Sequence, residues 1–250
     1  MLDSDVGELF IKYRRHPPTG LFQAEAAGLA ALAESKAIPV VQVRAVNEQC
    51  ICLNHLPPRP ATAKDWARAG ENLARLHQIT APQFGFDGDN YCGDTRQINR
   101  RERDGYQFFS QHRLLYQAGM AHRRGLLSSQ QVKQLERLCQ HLPELIPPQP
   151  AALIHGDLWR GNLHSSGGEL VLIDPACHFG WPEAELAMTT LFGNLHANFY
   201  EGYQHVSGID SDWRQRADLY NLYHLLNHLN LFGNSYLPDI DAIIRRFGAA

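Results

Sequence analysis

The 250-residue chain has no apolar run approaching the ~20 residues that a membrane-spanning helix needs, so no membrane partner is expected. It has no basic surplus either. Its 23 lysines and arginines face 26 aspartates and glutamates, a net charge of −3, and a nucleic-acid partner would call for a basic stripe. The N-terminal MLDSDVGELF has neither a basic n-region nor a long apolar h-region, so no signal peptide is expected and the cytoplasm is the expected compartment. The five cysteines, at 50, 52, 92, 139 and 177, make neither an even set nor a C-x-x-C pair. Cys50 and Cys52 share a face of a predicted strand and cannot easily bridge each other, so reduced, mostly buried thiols are expected. His224 and His228 stand at i,i+4 on a predicted helix, but no glutamate follows the first in the H-E-x-x-H manner. Two ligands do not close a structural zinc site, and none is expected there. What remains, 44% hydrophobic and 20% charged, is the composition of a soluble globular protein with room for one large domain or two lobes sharing a cleft.

The most informative stretch is Ala151–Ala176, AALIHGDLWRGNLHSSGGELVLIDPA. Two apolar runs, Ala151–Ile154 and Leu170–Ile173, joined by a glycine-containing turn, read as a hairpin. That hairpin would put Asp157 and Asn162 at or before its first strand and Asp174 at the end of its second. The chemistry this suits is phosphoryl transfer. A kinase needs one carboxylate to accept the proton of the attacking hydroxyl, and an amide with a second carboxylate to hold Mg²⁺ against nucleotide phosphates. The five-residue step from Asp157 to Asn162 matches the kinase catalytic loop, with Gly156 in place of the arginine of protein kinases. Any one of these residues alone is an ordinary turn former or cap; their joint spacing is not.

HGDLWRGN, IDPACHFG and EAELAMTTLFG together resemble the fructosamine kinase (ketosamine-3-kinase) family among the aminoglycoside-phosphotransferase-like kinases, and the resemblance runs over nearly the whole chain. H-G-D-x-x-x-x-N with a later Ile-Asp is common to many small-molecule kinases. Leu158-Trp159, Asp-Pro-Ala and the E-A-E-L-A-M helix narrow it to the fructosamine branch. The resemblance implies a two-lobed, protein-kinase-like α+β fold. The small β-rich lobe would occupy residues 1–56 and the larger helical lobe 57–250, with ATP and Mg²⁺ in the cleft.

Along the chain, Glu8–Arg14 reads as a strand carrying Lys12, and Phe22–Glu34 as a helix with Glu25 on its first turn. Ile38–Ala45 and Gln49–Asn54 read as two more strands, and the proline cluster of Leu56-Pro57-Pro58-Arg59-Pro60 ends the second. By resemblance, Lys12 would hold the α/β-phosphates, Glu25 would fix Lys12, and Asn54, His55 and Leu56 would form the adenine-binding hinge. Only eleven residues precede Lys12, too few for the glycine-containing hairpin that the family places ahead of its lysine strand. Either the start is assigned too late or the expected small lobe lacks that hairpin, and for the sequence as given weak nucleotide affinity is expected.

Trp66–Leu76, Tyr106–Met120, Ser129–Leu142, Pro182–Leu191 and Trp213–Phe232 read as helices. The segment Asn90–Asn99 resembles the family's Asn-Tyr-Ile-Gly-x-Thr-x-Gln-x-Asn near the sugar, with Cys92 at the isoleucine position. Arg101 and Gly105 stand where the family has tryptophans. Glu185 is expected to brace the catalytic loop, and Asn227 to line the sugar pocket.

The implied reaction is ATP-dependent phosphorylation of the C3 hydroxyl of a ketosamine, such as a fructosamine or ribulosamine on a free or protein-bound amine, leading to deglycation. Asp157 would be the base, and Asn162 and Asp174 the Mg²⁺ ligands. Two alternatives stay open. One is a phosphotransferase for an aminoglycoside, amino sugar or choline-like alcohol; the other is a lid-less, pseudokinase-like binding protein.

Overall fold

A computed structural model describes residues 7–248. Strand β1 (Leu9–Tyr13) leads into helix α1 (Leu21–Glu34), and β2 (Val43–Val46) and β3 (Cys50–Asn54) follow. The three strands form an antiparallel sheet in the order β1-β3-β2, with Lys12 opposite Ile51. Alternation along β3 turns Ile51 and Leu53 into a small core with Leu21, Phe22 and Leu29 of α1, plus Val41 and Val171. On the edge strand β1, Leu9, Phe10, Ile11 and Tyr13 are exposed and Lys12 is the residue turned inward. The strand expected over Ile38–Ala45 is shorter because Pro39 has no N–H for a ladder. Its carbonyl instead accepts the Leu172 N–H at 2.9 Å while the Val41 N–H donates to Leu172 O at 3.1 Å, tying this stretch to the second half of the molecule. Helix α1 opens at Leu21, so Glu25 falls beyond its first turn.

The helical part begins with α2 (Ala63–Leu76), one turn earlier than periodicity suggests. Thr62 and Asp65 form a capping box there: the Asp65 N–H donates to Thr62 Oγ1 at 3.3 Å and the Thr62 N–H to Asp65 Oδ2 at 2.9 Å. Short strands β4 (Thr80–Ala81), β5 (Asn90–Cys92) and β6 (Thr95–Gln97) come next, β5 and β6 as a hairpin. The expected helix over 106–120 is split into α3 (Gly105–Phe109), a wide π-helical turn (Ser110–Leu115) and α4 (Tyr116–Arg123). The widened turn carries Arg113 into the interior, where its guanidinium donates to Ile98 O (2.6 Å) and Asn99 Oδ1 (2.8 Å) and lies 4.5 Å from the Phe108 ring centre. Helix α5 (Ser129–Leu145), strands β7 (Ala151–Ile154), β8 (Leu163–Ser166), β9 (Glu169–Leu172) and β10 (His178–Gly180), and helices α6 (Pro182–Leu191), α7 (Ala197–Ser207), α8 (Trp213–Phe232) and α9 (Leu237–Phe247) complete the chain.

The hairpin differs from the expected one. β7 does not pair with β9; it lies between β10 and β4, with all four of its residues buried. The partner of β9 is β8, in the register Leu163↔Leu172 to Ser166↔Glu169 around Gly167-Gly168. The reason is chain length. A two-residue turn closes 163–166 onto 169–172 directly, whereas β7 lies too far upstream of that turn to share it.

The main core gathers α2, α5, α6, α7 and α8 around Leu73, Leu76, Leu138, Leu186, Leu222 and Leu226. Where α2 crosses α7, a Cβ on Gly70 would lie 1.9 Å from Phe199 O. Gly70→Ala is therefore expected to push the two helices apart and cost about 1–3 kcal/mol or more, read as a lower urea midpoint at unchanged m-value. An unchanged midpoint would show that this crossing is not tight.

Candidate active site

β7 ends in His155-Gly156-Asp157, and a single-turn helix (Arg160–Asn162) returns the chain into β8. The Glu185 carboxylate, in the first turn of α6, shapes this loop. It accepts the His155 N–H at 3.0 Å and the Gly156 N–H at 2.7 Å, and lies 3.0 Å from His77 Nε2, whose Nδ1 is 2.7 Å from the Tyr203 hydroxyl. Burial acts to raise the Glu185 carboxyl, but His77 and the His155 N–H outweigh it, so its pKa ends below the usual value. Glu183, two residues earlier, fastens α6 to α8 through Arg216 (2.8 and 2.7 Å) and the Tyr220 hydroxyl (2.9 Å). Burial keeps His155 neutral. It takes the Asp157 N–H on Nδ1 at 3.2 Å and gives Nε2–H to Ile173 O at 2.8 Å, which joins the loop to the end of β9.

Gly156 adopts φ +84°, and a Cβ there would lie 2.2 Å from Ala176 O, so only glycine lets the loop touch the Asp174-Pro175-Ala176 segment. Asp174 itself sits at φ +56°, a left-handed conformation that aspartate tolerates better than most residues. Behind this segment the amides of Asn90, Gln97 and Asn99 form a buried network. Asn90 Nδ2 donates to Cys177 O at 2.8 Å, and Gln97 Nε2 to Ala176 O at 3.0 Å. Tyr223 donates to Gln97 Oε1 at 2.7 Å. These amides, expected near the sugar by resemblance, hold the Ala176 and Cys177 carbonyls just after Asp174. Asn90 and Gln97 pair across β5 and β6 and so share a face, the signal in the sequence that could have placed them together. Asn227 is likewise committed, accepting from Gln117 and donating to Cys92 O at 3.2 Å.

The expected site residues converge. Lys12 Nζ donates to Glu25 Oε1 at 2.7 Å and also bonds Asp174 Oδ1. Burial lowers the lysine pKa, yet the two carboxylates more than restore it, and it ends above its ordinary value. Burial pushes Glu25 up against the opposing pull of Lys12. Asn162 Nδ2 donates to Asp157 O (2.8 Å) and Oδ2 (3.3 Å), which leaves its Oδ1 as a ligand atom. Burial lifts the Asp157 carboxyl to about 7, against the Asn162 hydrogen bond and with help from the charges of Asp174 and Glu185. Lys12, Glu25, Asp157, Asn162 and Asp174 all line one cavity of about 520 Å³.

Asn54, His55 and Leu56 line a second, more apolar cavity of about 370 Å³, which shares Lys12 and Asp174 with the first. There the Asn54 and His55 N–H groups are given to Gln42 O (3.0 Å) and Glu8 O (3.1 Å), and Leu56 O accepts from His164 at 2.8 Å. Among the described residues the Leu56 N–H has no protein acceptor, so it is the backbone donor of the three open to a base. Trp159, which lines the first cavity, runs on edge to face into Phe192 and His228, with ring centres 5.7 and 5.0 Å apart. This row of rings joins loop, helix end and α8, and no local motif announces it.

A lysine held between a helical glutamate and Asp174, with an apolar slot beside them, forms a set that can position a nucleotide for transfer. The model of the family described as fructosamine kinase matches residues 1–249. The chain belongs to the fructosamine kinase family. It is a small-molecule kinase, with a two-lobed, protein-kinase-like fold. A Synechocystis protein named a probable ketoamine kinase is 38% identical over 95% of this chain and 82% of its own length. A crystal structure from Thermobifida fusca, provisionally named a fructosamine-3-kinase, superposes with a TM-score of 0.90 at 34% identity, covering 97% of this kinase and 86% of that chain. The ADP-bound aminoglycoside phosphotransferase APH(2'')-Ib shares only the fold: TM-score 0.59 at 12% identity, over 98% of this chain and 94% of the other. No helix among the described residues is long and apolar enough to cross a membrane.

Proposed function

We propose that this kinase transfers the γ-phosphate of ATP to the C3 hydroxyl of a ketosamine, a fructosamine or ribulosamine on a free or protein-bound amine. The 3-phosphate is labile and releases the amine, so the outcome is deglycation, and the cytoplasm with its ATP pool is the proposed setting. The observation that carries this reading is the bridging of Glu25 and Asp174 by Lys12 on the same cavity wall as Asp157 and Asn162. The naming of relatives as ketoamine and fructosamine-3-kinases supports the substrate class.

In this reading residues 1–56 form the nucleotide lobe and 57–250 the acceptor lobe. Lys12 holds the α/β-phosphates, Glu25 keeps it aimed, and the hinge at Asn54, His55 and Leu56 takes the adenine against the apolar slot. Asn162 and Asp174 are the Mg²⁺ ligands, and their fit rests on oxygen donors: the free Oδ1 of Asn162 and the partly exposed carboxylate of Asp174. Bound there, Mg²⁺ supplies charge neutralisation for the transferring phosphoryl group. Asp157 orients the acceptor hydroxyl and takes its proton, and a carboxyl lifted to about 7 is well matched to that task near neutral pH.

The test is Mg²⁺-ATP turnover with a synthetic fructosamine and a ribulosamine. Phosphorylation of either at C3 is expected, and none of either would end the substrate assignment. Asp174→Ala should abolish Mg²⁺-dependent nucleotide binding in calorimetry run with and without the metal. Binding that keeps its Mg²⁺ dependence would remove Asp174 from the ligand set.

A further inference from the structure

Cys92 Sγ, Asp157 and His224 bring three chemically different ligand atoms within 4.8 Å of one another. They come from β5, the catalytic loop and α8. His224 Nδ1 is buried with no hydrogen-bond partner among the described residues and lies 3.8 Å from Asp157 Oδ1. An imidazole nitrogen of a residue only 6% exposed and left unpaired in this way is costly unless something comes to it. Cys92 is 3% exposed, and its position is where the resembled family segment has isoleucine. The Asn227–Cys92 hydrogen bond ties β5 to α8 one turn from His224, so the thiol and the imidazole are held in register.

We propose that Cys92, Asp157 and His224 form a binding site for a zinc-class divalent cation, and that filling it inhibits the kinase by taking the Asp157 carboxylate. The inhibitory part rests on the proposed role of Asp157; the binding part does not.

The donor set selects the metal. Thiolate, imidazole and carboxylate suit Zn²⁺ at ~2.3, ~2.0 and ~2.0 Å. A tetrahedron of those lengths sets neighbouring ligand atoms roughly 3.3–3.8 Å apart. The three atoms, within 4.8 Å of one another, therefore need to draw together by about 1.5 Å at most. Mg²⁺ prefers oxygen ligands throughout, so the oxygen pair of Asn162 and Asp174 and this mixed triad sort the two metals by ligand type. The Cys92 thiol must release its proton to solvent on binding. Three protein ligands leave a fourth position for water or another ligand.

Cobalt reports this site directly. The reduced full chain, titrated with Co²⁺, should show a thiolate-to-cobalt charge-transfer band that saturates at one equivalent and is displaced by Zn²⁺. Cys92→Ser and Cys92→Ile should both lose the band, and His224→Gln should bind at least about tenfold more weakly. With each variant's turnover normalised to its own metal-free rate, the Zn²⁺ concentration for half inhibition should rise at least about tenfold in all three. No band in the wild-type chain would overturn the proposal. So would a band that survives in both Cys92 variants, which would put the metal on Cys50 and Cys52, or zinc inhibition unchanged by the substitutions. A cobalt band lost in the Cys92 variants of a chain that phosphorylates no ketosamine would sustain the metal site and defeat the proposed substrate assignment.

Discussion

Asp157→Asn is expected to melt higher than the native chain and to turn over at least about a hundredfold more slowly, the scale of lost general-base help. The two effects have one origin. The folded protein holds the Asp157 carboxyl at about 7, against 3.8 for the free group. The folded state therefore keeps the proton more tightly than the unfolded chain does. That advantage is present at low pH and is lost as the pH rises through about 7, where ionising the buried group costs up to ~4 kcal/mol. Asparagine carries no such charge and can still accept from Asn162. At pH 8 the variant should gain on the order of 2–4 kcal/mol, or ~5–10 °C in melting temperature, and the gain should shrink toward pH 5. Calorimetric scans at the two pH values check it. A variant no more stable than its parent at pH 8 would mean that the carboxylate is comfortable where it sits, and wild-type turnover would remove Asp157 from the base role. In the native chain kcat/KM should rise with pH through about 7 as the base ionises.

Glu185→Ala should be the most damaging substitution outside the transfer residues. It strips the acceptor from the His155 and Gly156 N–H groups and the partner from His77, all buried. Leaving that many polar groups unpaired costs roughly 3–5 kcal/mol, and whatever folds should have lost the loop geometry that turnover needs. Glu185→Gln keeps the volume and one acceptor oxygen but turns an NH₂ toward an N–H, so its loss should be intermediate. Urea unfolding ranks the three proteins. An alanine variant within about 1 kcal/mol of the parent would show that the loop holds itself.

That Asp157, Asn162 and Asp174 would meet was readable from spacing because they sit on short, continuous stretches. Asp157 to Asn162 is one loop, and Asp174 ends the next strand pair. Lys12 and Glu25 were readable only through resemblance, since a strand lysine and a helical glutamate are commonplace alone. The hairpin was misjudged because apolar runs state that a strand is buried and not which neighbour it joins; β7 found β10 and β4. The π-helical turn around Arg113 was invisible because periodicity assumes a uniform helix, and here a buried guanidinium's need for carbonyls widened it. The roles of Asn90, Gln97 and Asn227 were hidden for a similar reason: amides carry no charge pattern, and only the folded chain shows that they hold backbone.

Gly156 touches the Ala176 carbonyl with nothing between them. The loop with Asp157 and the segment with Asp174 therefore have no slack relative to each other, and the two carboxylates are inherited as a single part. On the proposed function, changes in which acceptor is phosphorylated would come from other residues of the same cavity, such as Tyr91 and Trp159, neither of which carries that contact. Those positions can drift one at a time while the geometry of transfer stands still. One close approach between two stretches of main chain thus separates the residues that evolution can spend on new substrates from those it must leave alone.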